Sequence, residues 1–249
     1  MNPITVSFIV FTIIFGAAVV GMLLRPVLPE HHLSADSKEV IKLGTGLVAT
    51  MAALVLGLLV ASAKGSYDAQ SAELTQASAN IVLLDRLLAH YGSETKEIRE
   101  SLRGITARVL EETWSKDGNG PLEFGTAGNE VMLEKIQGLS PENNLQRTIQ
   151  SQALNLAMNL GQTRWLMFEQ GVNSVSKPMV VVMVFWLAIL FMTWGMFCPP
   201  NASVIASLLA AALSVSGAIF LILEMYNPYR GLIQISSAPL RAALAHLGQ

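Results

Sequence analysis

The sequence predicts an all-α membrane protein: four transmembrane helices, a helical cytoplasmic domain inserted between the second and third spans, and an amphipathic C-terminal tail. Three observations carry that prediction. Apolar residues gather in blocks of about twenty, the length a helix needs to cross a bilayer. Only 14% of the 249 residues are charged and 52% are hydrophobic, with a mean hydropathy of +0.47; a soluble domain carries about 25% charged residues. The stretch from Asp36 to Tyr91 contains no proline and passes from apolar to heptad-patterned halfway along. The expected division is 1–63 for the first two spans, 64–177 for the cytoplasmic domain, 178–225 for the last two spans and 226–249 for the tail.

The first span is expected over Ile4 to Leu24. A cleaved signal peptide would need a basic leader, a shorter apolar run and a small-residue cleavage site. None precedes Arg25 and Pro26, so a retained helix is the reading. Arg25 to Lys42 is a polar link. Ser34, Asp36 or Ser37 can cap the next helix, and Asp36 with Glu39 suits the positive end of its dipole.

The second span, Leu43 to Ala63, has no charge. Gly46, Thr50, Ala53, Gly57 and Ala61 recur every three or four residues and share a face. Leu47, Met51, Leu54 and Leu58 form a second face. Small residues let another backbone approach closely in lipid; the alternative is that one of these faces lines a pore. Such a pore would select by apolar constriction, hydroxyls and dipoles, since no charged ring is available.

The helix is expected to continue as a stalk to Tyr91, on the order of 80 Å in all at 1.5 Å per residue. Tyr67, Gln70, Leu74, Ala77, Ile81, Leu84, Leu88 and Tyr91 alternate steps of three and four, a seam that wants partner helices from this chain or from other copies. Gly92 is a stop, and Ser93 a new cap. A helix follows over Glu94 to Trp114. Four glycines and a proline make Lys116 to Gly128 a loop. A short helix is expected near Glu130 to Gln137. Ser140 and Pro141 are expected to open a long one with Leu145, Ile149, Ala153, Leu156 and Leu160 on one stripe.

The third span is expected over Pro178 to Cys198 and the fourth over Ser203 to Met225, joined by the tight turn Pro199-Pro200-Asn201. In the tail, Ser237 should cap a short helix with Leu240, Leu244 and Leu247 on one side. That helix either packs on the helical domain or lies on the membrane surface.

With the N-terminus inside, Lys64, Arg164, Lys177, Arg230 and Arg241 fall on the cytoplasmic side, against Arg25, Lys38 and Lys42 outside. The positive-inside rule favours that assignment. Both termini and the helical domain are therefore expected in the cytoplasm.

Catalytic chemistry needs converging acids, bases or metal ligands. His31 and His32 are adjacent and point apart on any helix. His90, His246 and the single Cys198 are isolated. No phosphate-cradling glycine loop appears. The expectation is no enzyme, no cofactor and no metal. The net charge of −2 offers nucleic acid no basic field. Lys64, Asp68 and Glu224 are the charged candidates for an inner mouth. Glu224 either pairs structurally or serves an ion path. Asp85 and Arg86 are neighbours that cannot face each other, so each needs its own partner.

Several stretches resemble the bacterial integral-membrane family labelled bestrophin-like, whose function is not established. They are His31-His32-Leu33-Ser34, Asp36-Ser37, Leu43-Gly44-Thr45-Gly46, Leu54-Val55-Leu56-Gly57-Leu58-Leu59, Leu84-Asp85-Arg86, Tyr91-Gly92, Gly231-Leu232-Ile233 and Ile235-Ser236-Ser237-Ala238-Pro239-Leu240. The order of elements is also similar to that of true bestrophins. Those are pentameric anion channels with four spans, a pore-lining second span and a cytosolic helical domain. The resemblance implies a homo-oligomer, a pentamer by preference, in the inner membrane of a bacterium, conducting small inorganic anions. Pore-lining candidates are then Leu47, Thr50, Met51, Ala53, Leu54, Gly57, Leu58 and Ala61. Two departures matter. No aromatic residue stands between Leu43 and Ala63, where bestrophin necks carry rings of them. No Asp or Glu follows Glu224, so no calcium gate is expected. A non-conducting scaffold or sensor, whose cytoplasmic helices bind a partner, is the alternative. A secondary transporter would need broken helices and mid-span charges, and only Gly44-Thr45-Gly46 offers a break.

Overall fold

A computed structural model describes residues 2–27, 35–114, 126–172, 177–229 and 231–249. Among the described residues all regular structure is helical. The α-helices are α1 (Pro3–Leu24), α2 (Ala35–Tyr91), α3 (Lys96–Trp114), α4 (Thr126–Gln137), α5 (Asn144–Val172), α6 (Lys177–Phe197), α7 (Ala202–Met225) and α8 (Ala238–His246), with short 3-10 turns at Arg25–Val27 and Ser93–Thr95. Four of them, α1, α2, α6 and α7, are long and apolar enough to cross a membrane. His31, His32, Ser34, Arg230 and most of the expected loop after Lys116 lie outside the described residues. That loop was expected to reach Gly128, but α4 already begins at Thr126. The chain divides into two compact units: Met1–Ser66 with Ser174–Tyr226, and Tyr67–Asn173 with Asn227–Gln249. Helix α2 runs unbroken through the boundary in sequence between them.

The first unit is built on the pairing of α1 with α6, backed by α7. Asn2 caps α1 by accepting from the Ile4 N–H at 3.1 Å, and Pro3 takes a first-turn position where no N–H is needed. Glycine sets how near α1 and α6 come. A Cβ placed on Gly195 would sit 2.1 Å from the Ala18 main-chain oxygen, and one on Gly21 would sit 2.0 Å from that of Met192. Two backbones touch there, as small residues permit in lipid. Around the contact Ile14, Ala18, Leu190, Phe191, Ala212 and Ile219 are buried. Helix α2 contributes Ala52, Leu59 and Ala63, and the Ser62 hydroxyl lies 3.1 Å from the Tyr226 hydroxyl. Asn201 caps α7 through the Val204 N–H at 2.9 Å.

The second unit uses the predicted seam. Leu84 and Leu88 of α2 are wholly buried against Ile98 and Leu102 of α3, Ile136 of α4, Ala153 of α5 and Leu247 beyond α8. The tail therefore packs into this unit. Leu145, expected on the buried stripe of α5, is exposed instead, because the stripe starts at Ile149. Gly92 turns the chain out of α2 at φ 142°, a conformation that favours glycine. Ser93 does not cap the turn that follows, whose cap position is Gly92 with no side-chain hydrogen bond; the buried Thr95 hydroxyl donates back to the Leu88 and Gly92 carbonyls at the end of α2. Helix α5 is capped by Asn143, not Ser140. Its side chain accepts from the Gln146 N–H at 2.9 Å, while Gln146 Oε1 accepts from the Glu142 N–H at 2.8 Å. In the tail Ser236, not Ser237, serves the Ala238 N–H at 3.2 Å.

Asp85 is buried in α2, and Arg99 of α3 holds it bidentately, Nε to Oδ1 at 2.8 Å and Nη2 to Oδ2 at 2.9 Å. The Gly248 N–H also donates to Oδ2 at 3.2 Å. Hydrogen bonding to Asp85 holds the Arg99 guanidinium above its ordinary pKa, against the opposing effect of burial. Arg86 finds a separate partner, the main-chain oxygen of Gln249 at 3.2 Å.

Two outcomes follow from these contacts. Gly195→Ala should destabilise the chain by about 1–3 kcal/mol, since backbone must yield to the new methyl. Gly57→Ala, with nothing within 4 Å of its would-be Cβ, should cost nothing; thermal unfolding in lipid nanodiscs compares the two. Asp85→Ala strands Arg99 and the Gly248 N–H, and should cost about 3 kcal/mol. Hydrogen exchange should then quicken in α3 and over 238–249 while that of α1 is unchanged.

Candidate functional site

Helix α2 is two-sided along its length. Its buried positions, among them Ala52, Leu59, Ala63, Gln70, Leu74, Leu84 and Leu88, fall on one side of the helix by spacing. The other side is exposed in the single chain. All eight pore-lining candidates lie on it: Leu47, Thr50, Met51, Ala53, Leu54, Gly57, Leu58 and Ala61 are exposed. The leucines are the most open, at 66% for Leu47, 65% for Leu54 and 60% for Leu58. At Gly46 and Gly57 a methyl group would meet no atom within 4 Å. The same three- and four-residue spacing continues on that side through exposed Lys64, Asp68, Ala72, Thr75 and Ala79. Sequence reasoning stopped that face at Ala61, although the spacing beyond it was there to be read.

The exposed surfaces of α1 and α6 differ in kind, while that of α7 also mixes alanine and serine with leucine. Helix α1 presents Phe8, Ile13 and Leu23 outward, and α6 presents Val181, Phe185 and Trp194. Those are bulky side chains suited to lipid tails. The outward face of α2 mixes glycine, alanine and threonine with leucine and has no aromatic residue.

Its chemistry is sparse. The Thr50 hydroxyl donates to the Gly46 carbonyl at 2.9 Å, and Thr45 donates to Ile41 at 2.8 Å. Both hydroxyl protons are thus spent on the helix itself. Further along, Thr75 donates to Ser71 at 2.9 Å. Between Leu43 and Ala61 the face therefore offers an ion neither a charge nor an uncommitted hydroxyl proton. What it can form, against a second apolar surface, is a dry constriction.

The three charged candidates are not alike. Lys64 and Asp68 are exposed and stand four residues apart on α2, the spacing at which side chains meet. Glu224, near the end of α7, is buried at 2% exposure within the first unit. Arg99, the partner of Asp85, went unnoticed in the sequence because it stands 14 residues further on, across a turn.

In the second unit, a cavity of about 110 Å³ lies among α2, α3, α4, α5 and the tail. Nothing in the sequence pattern signalled it, since each lining residue reads as ordinary core.

The comparisons with known proteins bear on these features. The family model described as Bestrophin-like domain matches residues 12–240. No curated protein and no solved structure matches the chain.

Proposed function

Since the chain belongs to the bestrophin-like family, we propose that it is a homo-oligomeric ion channel of the membrane that passes small anions. In this reading copies assemble, as a pentamer by preference, with the outward faces of α2 around a central axis. Leu47, Thr50, Met51, Ala53, Leu54, Gly57, Leu58 and Ala61 line the pore or the contacts beside it. The leucine and methionine side chains supply an apolar constriction. Lys64 and Asp68 stand at the inner mouth, with Glu224 as a buried structural acid near that level. The helices between spans two and three and the tail are cytoplasmic, as are both termini, in the inner membrane of a bacterium; the distribution of Lys and Arg supports that orientation.

The observation that carries this reading is the uncharged, aromatic-free face of α2, which no part of its own chain covers among the described residues. A membrane helix that faced only lipid would gain nothing from repeated glycine and alanine there. A helix that meets its own kind gains close approach.

One observation favours a second reading, the non-conducting scaffold. The heptad seam of the stalk is buried inside its own chain, so it is not the surface that joins copies. Cytoplasmic helices held that way can serve as a platform for a partner protein.

Anion flux into liposomes carrying the purified protein decides between the two. The channel reading expects flux above empty vesicles and a particle mass of several copies. An assembled but silent protein, across several anions and voltages, supports the scaffold; a monomer removes the central pore altogether. Gly57→Leu should lower flux by about tenfold or more by filling a constriction, or split the particle into fewer copies where the small face joins them.

A further inference from the structure

The helices of the second unit do not close on one another completely. Protein interiors pack to crystal-like density and leave few voids larger than a water molecule. At about 110 Å³ the chamber among α2, α3, α4, α5 and the tail is several times larger than one water needs. An unfilled apolar space costs stability in proportion to its volume. Two alanines help to keep this one open. Ala77 of α2 and Ala157 of α5 both stand on its wall, where longer side chains would take up the space.

The walls decide what the chamber can hold. Leu74 and Ile81 of α2, Ile105 of α3 and Leu160 of α5 give it aliphatic sides. The polar groups on the lining are turned to other tasks. The Thr106 hydroxyl donates to the Leu102 carbonyl at 2.8 Å, and the Trp114 indole donates to the Ile235 carbonyl at 2.9 Å. Tyr229 packs edge-on to that indole at 5.8 Å, and its hydroxyl is sealed where nothing the size of water reaches. It offers the chamber its ring. Arg164 is partly buried and keeps interactions of its own, with the Glu112 carboxylate among the charges near it. An ion entering would lose its hydration and find no uncommitted partner on the lining to replace it. Water fares poorly as well, since it needs two to four polar partners.

We propose that this chamber is a binding site for a small neutral hydrocarbon-like molecule about the size of a benzene ring, held by close packing and release from water, with no hydrogen bond to the protein. A cavity of about 150 Å³ lined by Leu, Ile and Phe stays dry and binds benzene. The chamber here is of the same kind and somewhat smaller, so a single ring is its limit. Tyr229 and Leu240 belong to the tail and stand on the same wall lining as the helices. An occupant therefore touches the tail and its neighbouring helices together, and favours the docked tail. The site belongs to the second unit alone and does not depend on whether the protein conducts.

Fluorobenzene is the probe, followed by fluorine NMR with the full-length protein in lipid nanodiscs. Empty nanodiscs measure its partition into lipid, which does not saturate. Saturable one-site binding per chain is expected above that blank. Benzoate, the same ring carrying a charge, should bind about tenfold more weakly or less, because the charge is costly to bury. Ala77→Leu and Ala157→Leu fill the chamber from two different helices, and each should abolish the saturable signal; circular dichroism shows whether each variant folds. Hydrogen exchange of the unaltered chain is a second reading that needs no variant. Fluorobenzene at ten times its Kd should slow exchange over 238–246 by about tenfold and leave α1 unchanged. No saturable binding above empty nanodiscs overturns the proposal. So does saturable binding retained by a folded Ala77→Leu or Ala157→Leu protein, or benzoate binding as tightly as fluorobenzene. Where both variants unfold, hydrogen exchange decides: slowing in α1 equal to that of the tail places the probe in lipid and overturns the proposal too.

Discussion

In hydrocarbon no water is available to the main chain, so every N–H and C=O must be satisfied within the protein. Helix α2 meets that constraint by never stopping: from Ala35 to Tyr91 its ladder is closed within the helix, with no proline to remove a donor. Much of the rest depends on that continuity. It lets one side of a single helix be buried in each unit in turn, first through Ala52, Leu59 and Ala63, then through Leu74, Leu84 and Leu88. It also leaves the opposite side exposed among the described residues.

Each unit is stabilised internally by different physics. In lipid, burying leucine gains little, because the tails outside are as apolar as the core. The first unit accordingly relies on close fit, and its tightest point is the mutual glycine contact of Gly21 and Gly195. The second unit buries apolar side chains in the ordinary way and adds a buried ion pair, Asp85 with Arg99, at the point where α2, α3 and the tail meet. Replacing one member of such a pair costs more than the pair is worth as a whole, because the other is left buried and unmatched. Asp85 thereby ties the Gly248 main chain of the tail to Arg99 of α3.

Much of this was legible in the residues. Span positions follow from length and hydropathy, and the observed ends of α1, α6 and α7 fall within one or two residues of expectation. The stalk's inward face was legible too, because steps of three and four leave little choice of side. The owner of the partner helices was not: a heptad seam states that a neighbour exists, never whose chain it is on. The caps were missed for a related reason. Ser140 and Asn143 are rival oxygens three residues apart, and Ser237 holds the expected cap position while the Ser236 hydroxyl takes the Ala238 N–H; the winner depends on the local path of the backbone. Glycine misled in the same way. Gly46 and Gly57 stood out by periodicity, yet the backbone contact within the chain is at Gly21 and Gly195, single glycines in apolar runs with no pattern to mark them.

That contrast between glycines bears on how the exposed face of α2 is to be understood. Where this chain brings two of its own membrane helices together, it uses small residues and lets main-chain atoms touch. Where α1 and α6 face outward, phenylalanine, tryptophan and branched aliphatics stand instead. The face of α2 carries the composition of the first kind and the exposure of the second. A surface of that composition, exposed among the described residues, is what the proposed assembly of copies would cover. The hydroxyls on that face donate to their own backbone, so what two or more copies would enclose is not a binding site for an ion. On the channel reading proposed above, it would be a passage whose barrier is set by how wide the leucines stand apart and whether water enters between them.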